Sequence, residues 1–536
     1  MYSLSRKLLM LGICAILSGL LPAYALAQGQ PVPPINVATF TKAQFPTQFE
    51  VFTYVAESWR ELGLDIQLVP YNYPSPFLNV RDDGRDFDIF ASAFDSNTKR
   101  IDPQMNLDQM FDGDFANVTG AANTSGYNNP AYQQLIYAER QEYDVNIRRE
   151  LVFQMQEILY EDKPALIVLH KYDQNAYNSR RFADPVLGPG FFMDPRAEMT
   201  IRPLTSDGIM RRGMQTTTMG SLNVFAPSPE AWQLRLLYDT LLRTGTDAQP
   251  ELWMIESYNV VSPTTIEISL KDGLLWHDLQ PVTTEDVAFT YNYLLQYTAP
   301  QYTIYLDGLK QATAISNKIV RFELEVPNSS FITQAMTQVP ILPKHIWENV
   351  TEPEKMPGNT VIGSGPFKFD YVREGQESRM LAFKEHFFPP KIEGLLYIYY
   401  GTADAMYNAL INQDVDIIEA LLPHQVGELA QYDYLTVLVG PSLNVTGFWF
   451  NMRHGMPFSD KAFRTALSYA VPMNMIAEDI YLGLVTPGAS LISPVNEFWY
   501  NPAIQPMPYD MEKARQILRD AGYTWDNNGR LRLPTN

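Results

Sequence analysis

The sequence predicts an α/β protein of more than one domain, and three observations carry that expectation. Helical and strand periodicities alternate along the chain, 536 residues exceed what one hydrophobic core organises, and the composition, 46% hydrophobic and 19% charged, is globular.

The elements follow in order. Val51, Phe52, Val55, Ala56, Trp59 and Leu62 recur at helical spacing over residues 45–62, and Gly63 ends the run. Leu64, Ile66 and Leu68 then alternate as a strand, and the apolar run 87–94 is a second strand reached through the polar loop 81–85. Asp144 is placed to cap a helix with Ile147, Leu151, Met155, Ile158 and Leu159 on its apolar face, closed by Lys163-Pro164, and residues 165–169 read as a buried strand. Over 182–212 the periodicity dissolves among prolines and glycines, as in a connector. Residues 264–270 alternate as a strand, Thr283 and Asp286 have capping-box spacing, and Val287, Tyr291, Leu294 and Leu295 supply the stripe of the next helix. Ser459 and Asp460 open a helix carrying Phe463, Ala466, Leu467 and Ala470, ended by Pro472.

Charge and composition exclude several classes. The net charge is −20, and no basic run reaches the length that nucleic-acid binding requires, so no nucleic-acid partner is expected. Arg6 and Lys7, the apolar run 8–21 and Ala25-Leu26-Ala27 have the order of a cleaved secretory signal over residues 1–27, with the chain exported to the periplasm. That run is too short and too broken for a transmembrane helix. Cys14 lies inside it and is the one cysteine, so no disulfide framework is expected once the segment is removed. The six histidines form neither HExxH nor a close pair, which argues against a metal cage, and no cofactor motif is present. No G-x-S-x-G, P-loop or cysteine nucleophile occurs, and Ser96-Asn97-Thr98-Lys99 matches S-x-x-K without a K-T-G partner. The chain does not read as an enzyme.

Five dispersed segments carry a resemblance. Leu270-Lys271-Asp272-Gly273, Trp276-His277-Asp278 and Pro281-Val282-Thr283-Thr284-Glu285-Asp286-Val287 form one; Leu237-Tyr238-Asp239-Thr240-Leu241, Gly363-Ser364-Gly365-Pro366-Phe367, Phe450-Asn451 with Pro457-Phe458, and Phe463-Arg464-Thr465-Ala466-Leu467 are the others. Together they resemble family 5 extracellular solute-binding proteins, the oligopeptide, dipeptide and nickel binders of ABC importers. Taken singly, Trp276 reads as core, Gly363 and Gly365 as a turn and Arg464 as a surface charge. The resemblance implies a two-lobed, periplasmic-binding-protein-like fold (type II, cluster C) with an extra subdomain in lobe I. It also implies capture of a peptide or other small solute by hinge closure, and delivery to an ABC permease in the inner membrane by a monomeric binder.

The segments stand in an unusual order. Residues 45–190 resemble the family's C-terminal third yet come first, whereas 208–536 resemble its first two thirds, so the chain reads as circularly permuted. A broken tandem and a swapped assembly are the rival explanations. The expected organisation is lobe II from 34–165 and 440–536, a return segment and connector at 166–205, and the rest of lobe I at 206–439 with an inserted subdomain at 237–362. Hinges then fall near 165 and 440, and Ile35 and Leu533 lie side by side in one lobe.

For the site, the resemblance implies that Asp95, after the strand 87–94, takes the position of the aspartate that pairs with a peptide's α-ammonium group. The familiar aromatic three residues earlier is Ser92 here. Asp102 is the alternative if the loop aligns differently, and Trp449 and Phe448 are candidates to line the cleft. A secreted hydrolase using cleft carboxylates, or a sensory or scaffolding binder, are the competing functions.

Overall fold

The computed structural model describes residues 29–189, 194–216, 220–226, 231–358, 361–419 and 421–535; the expected signal segment and Cys14 lie outside the described residues. None of the described helices is long and apolar enough to cross a membrane.

Two large hydrophobic cores organise the chain. One draws on both ends, from Val32 to Leu169 and again from Val445 to Leu533. Its parallel strands Ile35–Phe40, Ile66–Tyr71 and Ile89–Phe94 are joined by the antiparallel strand Val445–Phe450, in register Trp449 with Phe90. Helix Pro46–Glu61 packs Val51, Phe52, Val55, Ala56 and Trp59 onto this sheet, and the Trp59 indole donates to the Leu467 carbonyl at 3.0 Å. The two ends of the described chain pair: Val32 N donates to Leu531 O at 2.8 Å, and Leu533 N to Gln30 O at 2.9 Å.

The other core runs from Tyr177 to Ile417. Strand Ile209–Met214 lies parallel to Gly394–Tyr399, which continues antiparallel through Glu377–Ala382 to Phe367–Arg373. A separate sheet of Ile255–Ser262, Thr265–Leu270, Ile319–Leu324 and Leu309–Ala314 packs against helix Thr284–Gln296. That helix starts with the expected capping box: Asp286 N donates to Thr283 Oγ1 at 3.3 Å and Thr283 N to Asp286 Oδ2 at 2.8 Å.

The strand Ala165–Asn178 belongs to both cores. Its first part pairs with 446–449, and its second part pairs with Leu435–Pro441, in register Tyr172 with Pro441 and Tyr177 with Thr436. Fourteen residues in extended conformation reach about 45 Å, enough to run from one core into the next. Leu435–Pro441 leads back into Val445–Phe450, so two adjacent strand segments carry the chain between the cores.

Several local expectations are corrected. The buried face of helix Val145–Asp162 is Arg148, Val152, Met155, Gln156 and Leu159, while Ile147 is 54% exposed, because Arg148 and Gln156 find buried polar partners. Leu295 is exposed rather than part of its helix stripe. The region 182–212 is not all connector: Ile209–Met214 is an interior strand, Arg212 is fully buried on it, and helix Pro195–Thr200 precedes it. The strand expected at 165–169 continues nine residues further, because the period-based reading followed only its apolar part.

Candidate functional site

A cleft of about 460 Å³ opens beside the crossing strands and is walled from both sides of the crossing. Gln44 to Gln48 and Tyr481 come from the side of the first core; Gln215, Ala403, Glu419 and Leu421 to Pro423 come from the opposite side, where Leu421 belongs to a small third core with Ala176, Met406 and Leu410. Its floor is the polar stretch Lys171, Tyr172, Asp173, Gln174 and Asn175 of the bridging strand, flanked by Asp95 and Ser96. A further cavity, about 40 Å³ beside Gln156, Leu166 and Val471, lies within the first core and is too small for a solute.

The floor is polar because the bridging strand changes character midway. Leu166 to Leu169 are buried in the first core and Ala176 and Tyr177 in the second half of the molecule, while the residues between them cross the gap. Hydrogen bonds pin the crossing: the His170 ring meets the Asn444 carbonyl through Nδ1 at 2.8 Å, and Ser442 Oγ donates to Lys171 O at 2.7 Å. Burial holds the His170 imidazole down at about 4, so it is neutral at physiological pH and its Nδ1–H is the donor.

Carboxylates dominate the charged groups of the cleft. Asp95 has 57% of its side chain exposed and lies 3.3 Å from Arg100 Nε. Burial alone would raise its pKa, but Arg100, Lys99 and Arg235 outweigh that and hold it below the ordinary carboxylate range. Glu419 is bound by the buried Arg212, which also holds Glu198; burial raises Glu198 to about 7 despite that cation. Asp173 accepts from Ser96 Oγ at 2.9 Å through one oxygen.

The sequence-predicted site residues separate. Asp95 reaches the cleft. Asp102 is 2% exposed and saturated: Arg148 grips both its oxygens at 2.8 and 2.9 Å, and Thr333 Oγ1 donates to it across the gap between the cores. The same Arg148 donates to Glu139 at 2.6 Å, so the three form one buried ionic cluster. Phe448 is fully buried between Trp59 and Phe52, with ring centroids at 4.9 and 5.4 Å. Trp449, 1% exposed, packs on Phe90 and Phe94. None of these three side chains lines the cleft: Phe448 and Trp449 lie on an interior strand covered on both faces, and Asp102, in the loop after residues 98–100, is taken up by its ion pair with Arg148. Sequence reasoning missed Asp173, Gln174, Asn175 and Glu419; the signal that could have found the first three is a run of polar residues directly continuing a buried apolar strand.

Away from the cleft floor the cores also touch. Arg235 donates to Thr98, to Asn97 Oδ1 at 2.9 Å and to Gln338 Oε1 at 2.6 Å, and Gln334 Nε2 donates to Lys99 O at 3.1 Å.

The family profile described as "Bacterial extracellular solute-binding proteins, family 5 Middle" matches residues 249–536, more than half of the chain. The chain belongs to this family. It is 26% identical to the dipeptide-binding protein of Escherichia coli K12, over 48% of this chain and 52% of that one. It is 27% identical to the oligopeptide-binding protein AppA of Bacillus subtilis, over 55% of each. The chain thus spans about half the length of the curated relatives it matches. Among solved structures it is similar to NikZ of Campylobacter jejuni in complex with Ni(L-His), with a TM-score of 0.51 and 19% identity over 61% of this chain and 66% of that one. A periplasmic oligopeptide-binding protein of Thermotoga maritima gives a TM-score of 0.50 and 22% identity over 60% and 64%. The fold is therefore the two-lobed α/β fold of type II periplasmic binding proteins.

The family's signature residues in this chain are structural. Gly363 and Gly365 lie against the backbone of Leu237, where a Cβ on Gly363 would overlap the Leu237 carbonyl. Gly365 N donates to that carbonyl at 2.9 Å. His277 joins the same knot, with Gly363 N donating to its Nδ1 at 3.1 Å and its Nε2 meeting Gly365 O at 3.0 Å. Arg464 is 3% exposed rather than a surface charge, donating to the carbonyls of Asp162, Lys163 and Phe458.

Proposed function

We propose that the chain is the extracytoplasmic substrate-binding subunit of an ABC import system, exported by a cleaved signal segment and acting as a monomer in the periplasm. It captures a peptide or similar small solute between its lobes and hands it to a membrane permease. The observation that carries this reading is the cleft itself: one wall against the first core and the other against the small core of Ala176, Met406, Leu410 and Leu421, joined beside it by two adjacent strand segments. Such a connection bends at low cost, and a ligand favours the closed state by its additional contacts there. The relatives named for dipeptide and oligopeptide binding support the peptide class.

In this reading lobe II combines 34–165 with 440–536, lobe I is 166–439, and the order is a circular permutation. The pairing of residues 30–32 with 531–533 supports it, as does the shared sheet of early and late strands. Asp95 is the contact for a free α-ammonium group at the edge of the cleft.

Native mass spectrometry of the purified protein identifies a co-purifying solute, and X-ray scattering with and without it is expected to show a smaller radius of gyration when loaded. An unchanged radius together with no calorimetric binding of di- to pentapeptides rejects capture by closure. Asp95→Asn is expected to weaken a peptide with a free amino terminus by about 1.5 kcal/mol, the low end for a hydrogen bond to a charged group, because Arg100 already shares the carboxylate. Gel filtration at the mass of a dimer would favour a swapped assembly.

A further inference from the structure

We propose that Asp173 is a second cation site of the same cleft, so that the captured solute carries an ammonium or guanidinium group besides any α-amino group. The inference rests on the binding reading above and names its substrate class.

Three observations converge. The other cleft acids already have cations, Asp95 with Arg100 and Glu419 with Arg212, whereas Asp173 has no cation in ion-pair reach among the described residues. Its Oδ1 is held by Ser96, and its Oδ2 is shielded from solvent with no hydrogen-bond partner among them. Beside it on the cleft floor, Gln174 and Asn175 are 5% and 4% exposed, and their side-chain oxygens are likewise without partners. Buried polar groups in folded proteins are almost always paired, so this stretch of the cleft lining has unused bonding capacity. An amide can offer oxygen or nitrogen, but an ionised carboxylate only accepts; the carboxylate selects a donor-rich cation.

Protonation supplies a further handle. Burial lifts Asp173 to about 6, and Glu419 adds to the rise. Lys171 on the same strand and the hydroxyl of Ser96 oppose it. Asp95, Tyr172 and Tyr481 are the remaining titratable groups of the cleft, with Arg212 and Glu198 behind Glu419.

The test is calorimetry with Ala-Ala-Lys and Ala-Ala-norleucine, which share backbone and length and differ in one ammonium group, alongside free arginine and spermidine. Ala-Ala-Lys is expected to bind ten- to hundred-fold tighter than its neutral partner, and Asp173→Asn to erase that difference. Should the variant fold poorly, the wild-type protein suffices: affinity for Ala-Ala-Lys falls about tenfold per pH unit below about 6, and that for Ala-Ala-norleucine does not. Equal affinities, or a preference that survives Asp173→Asn, overturn the inference while leaving peptide capture intact. Free arginine or spermidine binding with the same Asp173 dependence, and no peptide binding, keeps the cationic class and rejects the peptide reading. If none of the four binds, the inference falls, and capture by closure is then judged on the co-purifying solute alone.

Discussion

The knot around Gly363 and the floor of the cleft are both polar places inside a folded chain, and they are built in opposite ways. In the knot the polar groups are matched: Gly363 N to His277 Nδ1, His277 Nε2 to Gly365 O, Gly365 N to Leu237 O, with backbones so close that only glycine fits. On the cleft floor Asp173, Gln174 and Asn175 leave side-chain oxygens without partners among the described residues. Matched groups stabilise the fold by themselves; unmatched ones leave bonding capacity open to a partner. Family signature and cleft floor therefore reside in different places, and only the first is visible as a motif.

Substitutions sharpen this contrast. The largest effect is expected from Gly363→Ala, where the added methyl meets backbone that cannot rotate away. The lobe must shift, and denaturant unfolding is expected to lose about 3 kcal/mol or more. A loss below 1 kcal/mol would mean that the close approach is not structural and that the knot differs little from an ordinary turn.

Acid should attack the knot next. His277 is satisfied as a neutral ring, donating from Nε2 and accepting at Nδ1, and burial holds it down at about 4. Above pH 6.5 the folded and unfolded chains are both neutral at this position. As pH falls from about 6.5 towards 4, the unfolded chain takes up a proton that the folded one resists, so stability is lost across that window. The shift corresponds to about 3 kcal/mol at most. His277→Gln keeps an acceptor and a donor without a titrating group, and is expected to show a smaller difference in unfolding free energy between pH 7 and pH 4.5. An unchanged difference would assign the acid sensitivity elsewhere, with buried His170 at the crossing as the first alternative.

How far the sequence revealed this molecule follows from the same contrast. Helix 46–61, the capping box at Thr283 and the pairing of the early with the late segments were legible, because apolar periodicity, cap chemistry and signature residues report on packing. Arg148, Arg212 and Arg464 were not. Arginine reads as surface, and what buries each is a carboxylate or carbonyl set contributed partly by distant parts of the chain, such as Asp102, 46 residues before Arg148, and Glu419, 207 after Arg212. At the cleft, Asp95 was reachable by resemblance, while Phe448 and Trp449 were drawn to it by their aromatic character although both faces of their strand are covered. Asp173 to Asn175 carry no period and no signature, and only the bridging strand's path turns them into a floor.

The smallest effect is the one that decides whether the floor is built for a ligand. If Asn175 holds an unsatisfied buried amide oxygen for the sake of a solute, the empty protein is less stable for it, and an apolar side chain of similar size relieves that cost. Asn175→Leu is therefore expected to raise the unfolding free energy of the empty protein by about 1 kcal/mol while weakening capture of whatever solute co-purifies. Stability and binding then move in opposite directions at one position, which a purely structural asparagine would not produce. A loss of stability in the empty protein would show that the amide already has its partner, and the distinction between a matched knot and an unmatched floor would not extend to Asn175.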